Sequence, residues 1–324
     1  MRGKSVMYSV VIPVYRNEES LPDLLHALSA IARDVNKTGE VCELVFVIDG
    51  SPDASELILR DRLPEMPFPS KLLVHSRNFG SFAAIRSGLA AGEGDWFATV
   101  AADLQEPPEL LCDFLHALRS GAADVVVGER NSREDPWSSR VAAKAFWGLY
   151  RRWVMPQMPS GGVDVFGCTK RVRDLLLSFN ETNSALVGQL FWVGFRRNTV
   201  PYVRRRRIHG RSAWSIGRKT RYMWDSVYSF SDLPIRLLMW IGATGIVLAG
   251  LLGITVVVAR ISGAVPVPGY AATVITVLFF GALNTLGLGI VGTYAWRTFE
   301  NTKARPLSIV AARYEFRASP TPAA

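Results

Sequence analysis

Two long stretches near the C-terminal end, Leu237–Ala259 and Tyr270–Trp296, carry no charge at all. About 20 such residues cross the hydrocarbon core of a bilayer, so each predicts a transmembrane helix. A buried core helix of that length would ordinarily show a polar face, and these show none. The linker between them, 260–269, is short and rich in Pro and Gly, so the two spans read as a hairpin with both flanks on one side. Basic residues decide which side. Arg204 to Arg207, Arg211, Arg218, Lys219, Arg221 and Arg236 precede the hairpin, and Arg297, Lys303 and Arg305 follow it. The linker has only Arg260, so both flanks are expected in the cytoplasm. Met1 to Val6 and the short apolar run Val10 to Val14, broken by Pro13, read as the approach to a strand and not as a signal peptide.

Composition agrees with a soluble domain carrying a few spans. Hydrophobic residues make up 49% and charged residues 20% of the 324, and mean hydropathy is +0.16. That is too apolar for a purely soluble chain and too charged for a polytopic one. The net charge of +9 suits an anionic membrane surface or a phosphorylated substrate. No nucleic-acid reader motif accompanies it, so nucleic acid is not an expected partner. Cys42, Cys112 and Cys168 lie far apart, without zinc-site or disulfide-framework spacing.

The first half alternates strand and helix signals. Strands are predicted over Tyr8–Val14, Glu43–Ile48, Lys71–His75, Trp96–Ala101 and Asp124–Gly128. Helices are predicted over Glu19–Ile31, Ser55–Arg62, Phe82–Ala91 and Glu109–Ser120. Nearly continuous apolar strands between helices predict a parallel sheet covered on both faces. Ligands bind such sheets beyond the carboxyl ends of the strands. Polar residues gather there: Tyr15 and Glu18, Asp49 and Ser51, Asn78, Asp103 and Gln105, and Arg130. Ser51, Ser55 and Ser81 read equally as turn and cap residues. Neither a dinucleotide-binding glycine fingerprint nor a P-loop is present.

The segments VVIPVYRNEESL, VIDGSPDAS, SRNFGSFAAIRSGL and AADLQEPPEL, in this order and followed by the two apolar stretches, resemble the polyprenyl-phosphate glycosyltransferases of glycosyltransferase family 2. The likeness is to dolichol-phosphate mannose synthases and bactoprenol glucosyltransferases. It runs from about Tyr8 to about Val310 and takes in PYVRRRRIHGRSAWSIGRK and ENTKARPLSIV.

The resemblance implies a GT-A fold, an α/β nucleotide-binding domain, over 1–203. A basic juxtamembrane segment would follow over 204–235, the two spans over 236–298 and a cytoplasmic tail over 299–324. It implies an integral inner-membrane enzyme that transfers a sugar, with inversion, from a UDP-linked donor to a polyprenyl phosphate. It implies donor contacts from Pro13, Tyr15, Glu18, Asp49 and Asn78, and Mg²⁺ or Mn²⁺ held by Asp103 and Gln105. It implies a grip on the acceptor phosphate from Arg130 and Arg140, and a homo-oligomer, commonly a tetramer. Ile48 and Ala101 stand where the family often has the first acid of a pair, and Asn17 where it often has an acid. These departures keep a catalytically weak donor-binding scaffold as an alternative. A processive polysaccharide synthase is disfavoured by the absence of a QxxRW motif.

Chemistry supports such roles. Mg²⁺ needs only one or two protein carboxylates when phosphates supply its other ligands. A phosphate monoester is ionised near neutrality and needs cations to position it more than it needs a base. Val141–Met155, with Lys144, Trp147, Arg151, Arg152 and Trp153, reads either as an amphipathic helix on the bilayer or as an ordinary packed helix. Tyr222–Leu233 reads the same way. Arg204 to Arg207 read as lipid-headgroup contacts. Gly161 and Gly162, before Asp164, read as a close approach to substrate or as a plain turn.

Overall fold

The computed structural model describes residues 7–37, 40–130, 148, 150–152, 154–159, 162–205, 216–262 and 269–319. Arg140, Lys144, Trp147, Trp153, Gly161, Arg206, Arg207 and Arg211 lie outside the described residues. Eight strands form one sheet: β1 (Met7–Val14), β2 (Val41–Ile48), β3 (Ser70–His75), β4 (Trp96–Thr99), β5 (Val125–Arg130), β6 (Phe166–Thr169), β7 (Arg197–Tyr202) and β8 (Val310–Phe316), in the order β7-β5-β6-β4-β1-β2-β3-β8.

The four central strands β4-β1-β2-β3 are parallel, as their apolar runs predict. The sheet as a whole is mixed, which corrects the all-parallel expectation. β6 lies antiparallel between β4 and β5, and β8 adds antiparallel to β3. Tertiary pairing decided both placements. β6 is only four residues long, and β8 pairs with a strand more than two hundred positions earlier.

Side-chain alternation along β1 divides the core. Val10, Ile12 and Val14 join α1 (Leu21–Lys37), α2 (Ser55–Arg62) and α4 (Glu109–Arg119) on one face. Val11, with Val45 and Val47 of β2, joins α3 (Ser81–Ala91), α5 (Lys170–Ser178) and α6 (Leu186–Trp192) on the other. Gly88 sets how closely α3 sits, since a Cβ there would lie 2.3 Å from Val11 Cγ1. Helices α3 and α5 also cap each other's ends. Arg86 donates to the carbonyls of Leu176, Leu177 and Phe179, and Arg173 donates to those of Leu89 and Gly92.

Three helices follow the sheet's first seven strands: α7 (Ile216–Phe230), α8 (Leu233–Ile261) and α9 (Tyr270–Thr302). Leu233–Ala259 is long and apolar enough to cross a membrane, with a mean hydropathy of 2.3 and none of its window buried inside the protein. Among the described residues it is the one helix that meets that test. The C-terminal end of α9 is fastened to α7 and to the loop after α5. Arg297 donates to Asp225 Oδ1 at 2.6 Å and to the Asn183 carbonyl at 3.1 Å, and Asn301 Oδ1 accepts the Thr182 amide at 3.0 Å.

Candidate active site

The loops after β1 and β2 are laced together at the sheet's carboxyl edge. The amide of Arg16 donates to Ser51 Oγ (2.7 Å) and that of Glu18 to Asp53 Oδ2 (3.1 Å). Glu18 Oε2 accepts the Ala54 amide at 2.9 Å. Asp53 organises the lacing, accepting the hydroxyls of Ser51 (2.6 Å) and Ser55 (2.9 Å). Burial pushes the Asp53 carboxyl up, but those hydroxyls and the amides of Glu18 and Ser55 outweigh it and hold the group below its ordinary value. Ser51 and Ser55 thus brace the turn through Asp53, and neither caps α2, whose N-cap is Ala54 with no side-chain cap bond. Pro13 and Tyr15 close the end of β1, half-buried beside this lacing.

Asp49 is 2% exposed, and both its carboxylate oxygens are used within the protein. They accept the amides of Phe79 (2.8 Å) and Gly80 (2.7 Å), and one lies 2.9 Å from His75 Nδ1. Asn78 is exposed and donates its side-chain amide to the Asp49 carbonyl at 3.1 Å. Asp49 therefore builds the loop that presents Asn78. The next residue, Gly50, has φ +59, and a Cβ there would lie 2.3 Å from the Arg77 carbonyl carbon, so this corner accepts only glycine.

The loop after β4 carries Asp103, Leu104 and Gln105. Leu104 has φ 56, a left-handed conformation that costs a non-glycine residue about 1–2 kcal/mol. That turn brings the Gln105 amide to Asp103 Oδ1 at 3.2 Å, and Ser20 Oγ ties the loop to α1 through the Ala102 carbonyl at 2.8 Å. Strain of this kind collects at functional turns.

Around this turn stand groups from three separate segments. Arg130, at the end of β5, donates to Asp164 Oδ1, and Tyr202, at the end of β7, donates to Asp164 Oδ2 at 3.2 Å. Burial alone would lower the Arg130 pKa, but the Asp164 carboxylate reverses this and raises it. Arg204 Nη2 donates to Gln105 Oε1 at 2.7 Å, and its Nη1 lies 3.8 Å from Asp164 Oδ2. Its Nε lies 3.9 Å from Glu106 Oε1.

Glu106 is 1% exposed, and neither of its oxygens accepts a hydrogen bond from another residue. Two prolines follow it and have no N–H to offer. Further on, the amides of Leu110 and Leu111 already donate to the carbonyls of Pro107 and Pro108. Burial first, then the charges of Asp103 and Asp164, push its carboxyl from 4.5 up to about 7, against the pull of Arg204.

Asp103, Gln105 and Arg130 are thus drawn into one cluster through Arg204 and Asp164, and Glu18, Asp49 and Asn78 frame the neighbouring loops of the same edge. Glu106, Tyr202 and the inward role of Arg204 were not anticipated. Strand alternation held the signal, because buried Tyr202 and exposed Val203 put Arg204 back on the inner side. The oxygens of Asp103 and Gln105 suit a hard divalent cation. No cluster of three or more His, Cys, Asp or Glu able to hold a metal exists among the described residues. The fit is therefore to an ion whose other ligands come from a phosphorylated substrate and water.

Residues 9–207 match Glycosyl transferase family 2. An uncharacterized glycosyltransferase of Synechocystis is 30% identical over 94% of this chain and 95% of its own length. The bactoprenol glucosyl transferase of Shigella phage SfX is 30% identical over 94% of this chain and 99% of its own. The prophage bactoprenol glucosyl transferase homolog of Escherichia coli is 30% identical over 93% and 97%. Among solved structures, glucosyl-3-phosphoglycerate synthase from Mycobacterium tuberculosis, in complex with Mn²⁺, UDP-glucose and phosphoglyceric acid, superposes with a TM-score of 0.50. It is 15% identical and covers 70% of this chain and 79% of that one, a likeness of fold. The fold is GT-A-like, and the chain belongs to glycosyltransferase family 2 and is a glycosyltransferase.

Proposed function

We propose that this enzyme transfers a sugar, with inversion, from a UDP-linked donor to the phosphate of a polyprenyl lipid at the cytoplasmic membrane face. The observation that carries the reading is the cluster at the sheet's carboxyl edge. It sets oxygen ligands (Asp103, Gln105) beside buried arginine (Arg130) held by Asp164 and Tyr202. Near-complete length coverage by relatives named bactoprenol glucosyl transferase supports the lipid acceptor.

In the proposed reaction an acceptor phosphate oxygen bonds to the anomeric carbon as the bond from that carbon to the donor diphosphate breaks. The electron pair leaves with the diphosphate, and one displacement inverts the centre. When bound, Mg²⁺ or Mn²⁺ would offset the charge that builds on the leaving group. Asp103 and Gln105 hold that ion, while Pro13, Tyr15 and Glu18 line the donor side and Asp49 holds Asn78 toward the nucleoside. Arg130, together with Arg140, orients the acceptor phosphate and lessens its repulsion from the diphosphate. An ionised phosphate needs no strong base to deprotonate it.

The two-span hairpin finds support in the chain's path. The sheet is begun before α8 and finished by β8 after α9, so both flanks of the helix pair lie on one side. If Leu233–Ala259 crosses the bilayer, the chain must cross back before Val310, and α9 is the helix available for it. The excess of Lys and Arg on the flanks favours the cytoplasm for that side.

The test is purified full-length protein with polyprenyl phosphate, Mg²⁺ or Mn²⁺ and a panel of nucleotide sugars, read by mass spectrometry. A polyprenyl-phosphate sugar from one donor is expected. Donor binding without product from any sugar would favour the donor-binding scaffold instead, and long glycan chains would favour a polysaccharide synthase.

A further inference from the structure

Arg204 and Glu106 stand in an arrangement that the proposed transfer does not use. The guanidinium gives its one short bond to Gln105 Oε1 (2.7 Å), the oxygen read above as a cation ligand. Its Nε is buried and donates to nothing. At 3.9 Å from that Nε lies Glu106 Oε1, on a carboxylate that is itself buried without a donor. A donor and an acceptor, both buried and both unsatisfied, face each other a little beyond hydrogen-bond length. A buried donor or acceptor left without a partner is costly, so the pair favours closing whenever Arg204 is released from Gln105.

We infer that Arg204 and Glu106 form a counter-ion switch beneath Gln105. Without a divalent cation, Arg204 supplies the positive charge at Gln105 Oε1. When a cation takes that oxygen, Arg204 moves onto Glu106, and the hydrogen bond made there offsets the one lost. The guanidinium stays within the acidic cluster in both positions, since Asp164 Oδ2 lies 3.8 Å from its Nη1. Glu106 is a positioning residue in this scheme and does not touch substrate. The inference rests on the reading of Asp103 and Gln105 as the cation site.

The test is Mn²⁺ binding with UDP present and acceptor absent, followed by electron paramagnetic resonance on metal-free full-length protein in detergent against a UDP-only baseline. Arg204→Ala removes the competing cation and should tighten Mn²⁺ on the order of tenfold, the worth of a hydrogen bond to a charged group. Glu106→Gln removes the resting place and should weaken Mn²⁺ by a similar factor. Simple electrostatics predicts the same two signs, so the double variant decides. If Glu106 acts through Arg204, the double variant binds like Arg204→Ala alone. If the two effects multiply independently, or if Arg204→Ala weakens binding, the switch is wrong. Arg204→Gln replaces Arg204→Ala if thermal unfolding shows the alanine variant unfolded. Asp103→Asn separates the two readings. If the wild type binds no Mn²⁺, or Asp103→Asn leaves binding unchanged, the cation site and the switch fall together. If Asp103→Asn abolishes binding and the cycle is additive, only the switch falls.

Discussion

Replacing Glu106 with glutamine keeps its shape and removes a charge that the fold holds at a loss. The carboxyl sits at about 7 in the native protein against an ordinary 4.5, with burial the largest cause. Between those values the native state keeps a proton that the unfolded chain has released, so stability falls as pH rises through that window. That difference is worth about 3 kcal/mol once pH is well above 7. The glutamine variant escapes this loss. It should be more stable than wild type by about 3 kcal/mol at pH 8.5 and by less than about 1 kcal/mol at pH 5, where the wild-type acid is already largely protonated in the native state. Domains of 150–250 residues gain roughly 2–4 °C per kcal/mol, so the melting temperature at pH 8.5 should rise by about 6 °C or more. The assay is thermal unfolding of full-length protein in detergent with chelator present, at both pH values. A gain equal at the two pH values would mean that packing, not ionisation, sets it. No gain at pH 8.5 would mean that Arg204 already neutralises the acid.

Asp103→Ala should abolish transfer while leaving the melting temperature within a few degrees, measured by product formation and unfolding together. Asp49→Ala strips His75 and the amides of Phe79 and Gly80 of their shared acceptor, so it should cost on the order of 3–5 kcal/mol and weaken nucleotide binding, read by denaturation and calorimetry. Asp53 is held below its ordinary pKa, so its contribution is present above the unfolded value and lost as pH falls through the folded one; Asp53→Asn should flatten the acid limb of the stability profile. Gly88→Val drives side-chain atoms into Val11 and should destabilise by about 1–3 kcal/mol or more, read by thermal unfolding.

The central sheet and its loops were legible because they are local. The β-branched runs of β1 and β2 end where the strands end, and the polar residues after each strand lie on the ligand edge, as the parallel order requires. Asp49 stands at that edge, but its carboxylate turns inward to the 79–80 amides, a choice made by a loop thirty residues further on. Arg204 was read with Arg205 to Arg207 as one basic run. The fold separates it from its neighbour: Arg204 faces Gln105 and Glu106, while Arg205 is exposed and pairs with Glu109 at 3.4 Å. Glu106 was passed over because a run of sequence does not reveal which acids lose their solvent, and the proline pair that deprives it of donors reads first as a helix stop. β6 and β8 were missed because their partners are set by topology, which short strands do not announce.

The pairing of β8 with β3 has a consequence for how the chain is made. During synthesis β3 emerges early with one edge of N–H and C=O groups unclaimed, and its partner arrives only after both long helices have been translated. At roughly 5–20 residues per second that wait is on the order of ten to fifty seconds. Over that interval an uncovered edge is a template for pairing with other chains. Helices α8 and α9 are translated before the edge can be sealed, so the sheet is the last part of the chain to be completed. A fragment ending short of Val310 would keep that edge open for good.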